Sequence, residues 1–324
     1  MRRWLLGALV GSLVSTVGGA GWLAYQHSYD LREERVEIGD LRGVLALPET
    51  GGRHGLVVFV HGDGPVDATH ETFYRPIWEA FARAGYASLS WDKPGVNGAP
   101  GNWLHQTMAD RVRETLDAVA WAKGRPEIDP ERIGLWGASQ AGWVLPAAAR
   151  HPDVGFLIAV GPAVNWHQQG RFNLLAELRE RGAPPEEVTA ALARREATLD
   201  HLRRGSTFEE HRAAVGDADL TPDRWRFIRA NHESDATADL ARVEVPTLLV
   251  LGGRDVHVDV ADTEAGYRRL VRRLEVRTYP DGTHGITRAD RGEFATAAVA
   301  LAAPRALFAD GYLDDLRRFV AGLR

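Results

Sequence analysis

The chain has 324 residues, 44% of them hydrophobic and 26% charged, with a formal net charge of -5 and no cysteine. That balance is the balance of a folded globular protein and excludes disorder, and the missing cysteines exclude disulfides, thiolate nucleophiles and cysteine metal sites. A basic stripe with interleaved aromatics is missing and the only lysines are Lys93 and Lys123, so nucleic acid is not an expected partner.

In chain order, the first feature is Arg2 and Arg3 ahead of an uncharged run from Trp4 to Tyr25. At about 1.5 Å per residue it is long enough to cross a hydrocarbon core about 30 Å thick. Residues 1–30 are therefore expected to anchor the chain in a membrane, with the remainder extracytoplasmic. Gly18 and Ala20 suit a cut after Ala20 and a secreted or periplasmic product, whereas Trp22, Leu23 and Tyr25 prolong the run and favour an uncleaved anchor.

Beyond Asp30, runs rich in Val, Leu and Ile predict strands at Val44–Leu47, Leu56–Val60, Tyr86–Trp91, Arg132–Trp136, Phe156–Val160, Thr247–Leu251 and Leu274–Tyr279. Helical periods lie between and after them: Phe73–Arg83, Met108–Lys123, Gln140–Arg150, Val260–Arg273 and Pro304–Val320. Strands apolar on consecutive residues and alternating with helices imply an α/β fold, a doubly wound and mostly parallel sheet covered on both faces. From Ala163 to about Leu240 no strand pattern occurs, while Val188, Leu192, Leu199 and Leu202 fall at helical spacing behind the helix start Pro184-Pro185-Glu186-Glu187. Residues 163–240 are read as a helical lid inserted into a core formed by 31–162 and 241–324.

The segment GLWGASQAGWV, Gly134 to Val144, places Ser139 between a strand and a helix start, close to the nucleophile elbow G-x-S-x-G, with Ala141 in place of the second glycine. A serine hydroxyl is a poor nucleophile until a histidine takes its proton and a carboxylate orients that histidine. Asp255, after the strand Thr247–Leu251, and His284, after Leu274–Tyr279, stand at the strand ends where such partners belong, in the chain order Ser, Asp, His. Asp259 and Asp262 are alternative acids closer to the following helix. An oxyanion hole needs two main-chain N–H groups. Gln140 supplies one by position, and Asp63 or Gly64 in VVFVHGDGP supplies the other, Asp63 being preferred. His61, Asp63, Asp67 and His70 also admit a metal reading, although their spacing matches no ligand template. Trp103, Trp143 and Trp166 suit either the wall of an apolar pocket or core packing, and Asp92 and Lys93 either the pocket entrance or an internal ion pair.

Taken together, VVFVHGDGP, SWDKPGVNGAPGNW, GLWGASQAGW, VPTLLVLGGRD and YPDGTHG resemble the α/β-hydrolase superfamily, near its dienelactone-hydrolase and prolyl-oligopeptidase-like branches, over roughly residues 35 to 324. The resemblance implies Ser139 as nucleophile, His284 as base, Asp255 as acid and an oxyanion hole at Asp63 and Gln140. Neither cofactor nor metal is expected. The expected activity is hydrolysis of a carboxylic ester of a small-molecule acyl substrate, with thioester or small-peptide hydrolysis, or a non-catalytic membrane-tethered binding role, as alternatives.

Overall fold

The computed structural model describes residues 21–323. Its strands are β1 (Leu31–Ile38), β2 (Leu41–Pro48), β3 (His54–Val60), β4 (Tyr86–Trp91), β5 (Ile128–Ala138), β6 (Leu157–Val160), β7 (Thr247–Gly252) and β8 (Leu274–Tyr279). They form one sheet in the order β1-β2-β4-β3-β5-β6-β7-β8, antiparallel at β1-β2 and β2-β4 and parallel from β4 to β8.

β3, β4, β6 and β7 are buried along their whole length, which is why their sequences are mostly apolar, with Ser88 and Ser90 as buried exceptions inside β4. Alternate residues serve opposite faces. Leu56, Val58 and Val60 join Val119 and Leu135 in one core, while Val57 and Phe59 join Trp78 and Trp136 in the other. Phe59 lies opposite Trp136 in the register and stacks on it with ring centroids 4.7 Å apart. Helices Arg75–Ala82 and Tyr312–Gly322 contribute to the second core, and Met108–Lys123 to the first.

Between β6 and β7 lie the helices Trp166–Glu180, Pro185–Arg203, Phe208–Val215, Pro222–Asn231 and Thr237–Leu240. Leu199, Leu202 and Trp225 form a small apolar cluster of their own there. Helix Pro222–Asn231 is docked onto the loop before Met108–Lys123: Asp223 accepts from Asn102 Nδ2 at 3.0 Å, and Asn231 Oδ1 accepts from the Met108 N–H at 2.9 Å.

Four elements differ from the sequence reading. β1 was not anticipated because five charged residues in LREERVEI obscure its one buried side. The helix expected over Gln140–Arg150 is a 3₁₀ turn, Ser139–Trp143, followed by Leu145–Ala148, and the one expected over Pro304–Val320 is interrupted at Gly311, whose φ is +86°. Helix Glu293–Ala302 was also missed; its mostly apolar sequence has no polar stripe to set a helical period.

The expected membrane anchor, and the extracytoplasmic placement that rested on it, must be corrected. Among the described residues no helix is long and apolar enough to cross a membrane. Of the apolar run, residues 21–25 are helical, and the chain just after them is fastened to the folded body: Arg305 donates to the carbonyls of Gln26 at 2.9 Å and Ser28 at 2.6 Å. The rest of the run, with the cut after Ala20, lies outside the described residues.

Candidate active site

Ser139 leaves the end of β5 with φ at +56°, a left-handed value unusual for a residue with a side chain and of the kind a strained elbow imposes. The turn is tight enough to decide its neighbours. A Cβ on Gly137 would come within 2.7 Å of the Ala141 Cβ and 2.8 Å of the Val60 carbonyl, and one on Gly142 within 2.3 Å of the Ala163 carbonyl. Ala141 itself is fully buried and tolerated. The bare position this elbow requires is therefore Gly142, and the departure from G-x-S-x-G is a one-residue shift of where the chain comes closest. The Ala163 N–H donates to the Ser139 carbonyl at 3.0 Å, pinning the elbow from the β6 side.

Asp255 follows β7 with its side chain wholly buried. Its Oδ1 accepts from the N–H groups of His257 at 2.7 Å and Val258 at 3.0 Å, leaving Oδ2 for His284 Nδ1 at 2.7 Å. Two main-chain donors fix the carboxylate, and the carboxylate fixes the imidazole with its Nε2 free. Asp259, the alternative acid, caps helix Val260–Leu270 through the Asp262 N–H and makes no bond to His284. Ser139 and His284 line the same cavity of about 630 Å³, and among the described residues no hydrogen bond joins them.

Asp63 and Gln140 line that cavity too. Among the described residues neither their main-chain N–H groups nor that of Gly62 donates a hydrogen bond. The Asp63 carboxylate does not confront the place where an oxyanion would form, because Arg224 of helix Pro222–Asn231 holds it bidentately at 2.9 and 2.7 Å. Burial opposes its ionisation, but the hydrogen bonds and charge of Arg224, with Lys93 and Gln140, outweigh that and keep the carboxyl below the usual range. The Gln140 side chain bridges opposite charges, Nε2 donating to Asp63 at 2.9 Å and Oε1 accepting from Arg111 at 2.7 Å.

The four residues of the metal reading do not converge. His61 is buried between the Tyr74 hydroxyl at 3.0 Å and the Trp91 carbonyl at 2.5 Å, and burial first, then Lys93, push it down to about 3. Asp67 is used locally, accepting from the Thr69 N–H at 2.6 Å, and Asp63 is held by Arg224. Among the described residues no group of three or more such side chains could hold a metal ion. Trp143 and Trp166 line the cavity, whereas Trp103 packs edge-on against Phe227 at 5.6 Å. Asp92 and Lys93 are not an ion pair: Asp92 accepts from the Ala68 N–H at 2.8 Å, and Lys93 turns the other way.

Sequence reasoning missed Arg111, Arg224 and His257. The His257 ring stands 4.9 Å from that of His284. Only its place two residues after Asp255 hinted at this. Arg224 is 161 residues from Asp63 along the chain, a separation no local pattern encodes.

A family model described as serine aminopeptidase, S33, matches residues 51–291. Among curated proteins the chain is 28% identical over 224 residues to an uncharacterized 31.7 kDa protein in the traX-finO intergenic region of Escherichia coli, covering 64% of this chain and 75% of that protein. It is 21% identical over 264 residues to the esterase EstD of Thermotoga maritima, covering 78% of this chain and 59% of the esterase. Among solved structures, a bacterial membrane phospholipase A superposes with a TM-score of 0.57 at 19% identity, over 100% of this chain and 99% of that one. A likeness at that identity is one of fold, and the fold shared is that of the α/β-hydrolases.

Proposed function

This chain belongs to the serine aminopeptidase S33 family of α/β-hydrolase enzymes, and from that membership we propose that it hydrolyses a carboxylic ester of a small molecule through Ser139, His284 and Asp255. The observation that supports the reading is His284, held from behind by Asp255, sharing one cavity with a strained Ser139 and two unpartnered N–H groups.

Asp255 holds Nδ1–H, so Nε2 accepts the Ser139 proton as Oγ attacks the carbonyl carbon. The resulting oxyanion receives the N–H groups of Asp63 and Gln140. His284 then returns the proton to the leaving oxygen, the C–O bond breaks, and the acyl group stays on Ser139. Water attacks the acyl carbon while giving a proton to His284, and collapse releases the acid and restores Ser139.

Residues 163–240 serve in this reading as a lid, since Trp166, Arg224, Phe227 and Ile228 from that insertion line the cavity. Its wall of Val66, Phe73, Trp143, Trp166, Phe227 and Ile228 favours an apolar acyl group over a charged one. A fluorophosphonate probe tests the reading: it labels Ser139 in the folded protein, and absence of label there refutes it.

A further inference from the structure

Lys93 and Arg111 are buried cations, 2% and 4% exposed, and among the described residues neither has a carboxylate within 4.0 Å. Taking an ammonium out of water costs several kcal/mol unless its surroundings compensate. What surrounds Lys93 is main chain. Its Nζ donates to the carbonyl oxygens of Gly62 at 2.5 Å and Gly64 at 2.9 Å, and it lies 4.8 Å from the centroid of the Trp103 ring. Arg111 donates to the next carbonyl back, that of His61, and to Gln140 Oε1. Two cations thus grip three carbonyls of one four-residue loop, all from the side away from its free N–H groups.

We propose that Lys93 is a positioning residue for transition-state stabilisation, its ammonium orienting and polarising the Gly62–Asp63 peptide group so that the Asp63 N–H meets the oxyanion. The Gly62 carbonyl and the Asp63 N–H belong to the same planar peptide and point in opposite directions. Holding the oxygen therefore aims the hydrogen, and a positive charge on the oxygen strengthens the dipole the hydrogen presents. Arg111 performs the matching task on the other side, locking His61 in the loop and Gln140 at the elbow together. Preorganised donors of this kind need not reorient as charge develops. The inference rests on the reading of Ser139 as nucleophile, and it adds a charge that never touches substrate.

The test compares Lys93→Gln, which retains a donor without charge, Lys93→Met, which retains neither, and Lys93→Arg, which retains both. Steady-state kinetics on p-nitrophenyl butyrate are measured beside inhibition by an aryl trifluoromethyl ketone, whose adduct with the serine carries the oxyanion. The expected result for Lys93→Gln and Lys93→Met is a fall in kcat of about 10- to 100-fold with KM changed less than about threefold. The inhibition constant of the ketone rises by the same factor as kcat/KM falls, and Lys93→Arg recovers about tenfold or more over Lys93→Gln. A folded Lys93→Gln protein with kcat within about twofold of the parent, or a change confined to KM with ketone affinity unmoved, overturns the inference. So does a folded Lys93→Arg protein with no recovery. The parent protein gives a measurement independent of variant folding: with ¹⁵N labelling, the Asp63 amide proton moves downfield when the ketone adds, and an unmoved Asp63 resonance overturns the inference. Ser139→Ala run alongside separates the two readings, because activity surviving in that variant removes the nucleophile itself, whereas its loss with Lys93 variants unaffected removes only the role of Lys93.

Discussion

Arg224 grips the carboxylate of Asp63 with both guanidinium nitrogens, at 2.9 and 2.7 Å, and so ties helix Pro222–Asn231 of the insertion to the loop after β3. The pair neutralises the one carboxylate that sequence reasoning set beside the oxyanion site.

Replacing Arg224 by Met removes that tie and leaves Asp63 with Gln140 alone. The expected outcome is a fall in kcat/KM of about fivefold or less, since a half-exposed ion pair is worth about 0.2–1 kcal/mol. Asp63→Asn leaves the main-chain donor intact and is expected to cost less. Steady-state kinetics of both variants check the order.

The same pair gives an acid limit. Asp63 ionises below the usual 3.8, so its contribution to stability is fully present above that value and is lost as pH falls through the lowered one. Thermal melts of parent and Asp63→Asn between pH 5 and 2 are expected to converge toward the acid end.

At the alkaline end Lys93 gives a slope of the same sign for a different reason, since here it is the charged form that folding disfavours. Burial first, then the neighbouring Arg111, depress it well below 10.5. Between that depressed value and 10.5 the unfolded chain binds the extra proton, so stability rises with pH through this window, relative to a Lys93→Met reference. If Lys93 must be charged to hold its loop, activity falls as pH rises through the depressed value, at the lower edge of that window. Paired melts and rate profiles check both slopes.

Ser139→Ala and His284→Ala are each expected to lower kcat on short p-nitrophenyl esters by on the order of 10⁴-fold or more, with the double variant little worse than either alone. Full additivity of the two losses would sink the shared-step reading.

Gly142→Ala drives a methyl group toward the Ala163 carbonyl and is expected to destabilise by about 1–3 kcal/mol, as overpacking does. Ala141→Gly, which only removes a buried methyl, is expected to cost about 1 kcal/mol or less. Denaturant melts rank the two.

The sheet was legible where burial is complete. β3, β6 and β7 are apolar over most of their length because both faces are covered, and the ends of β5, β7 and β8 gave the expected places of Ser139, Asp255 and His284. β1 was not, since at the sheet's edge half its residues meet water and carry charge. Asp92 and Lys93 look like a pair in sequence, yet consecutive side chains of an extended segment point to opposite sides. Arg111 reads as an exposed residue of helix Met108–Lys123, and only the packing of that helix behind the loop of His61 turns it inward. The charged frame of the site was illegible for one reason: each of its contacts joins segments that sequence distance separates.

Gln140 is the hinge of that frame, presenting an amide oxygen to Arg111 and an amide nitrogen to Asp63. An acid there would repel Asp63, a base would repel Arg111, and an apolar residue would take one hydrogen bond from each, leaving Asp63 to Arg224 and Arg111 to the His61 carbonyl. The residue beside Ser139 is thus confined by its tail as much as its backbone. Anyone redesigning this enzyme must change positions 63, 111 and 140 as a set, or leave all three alone.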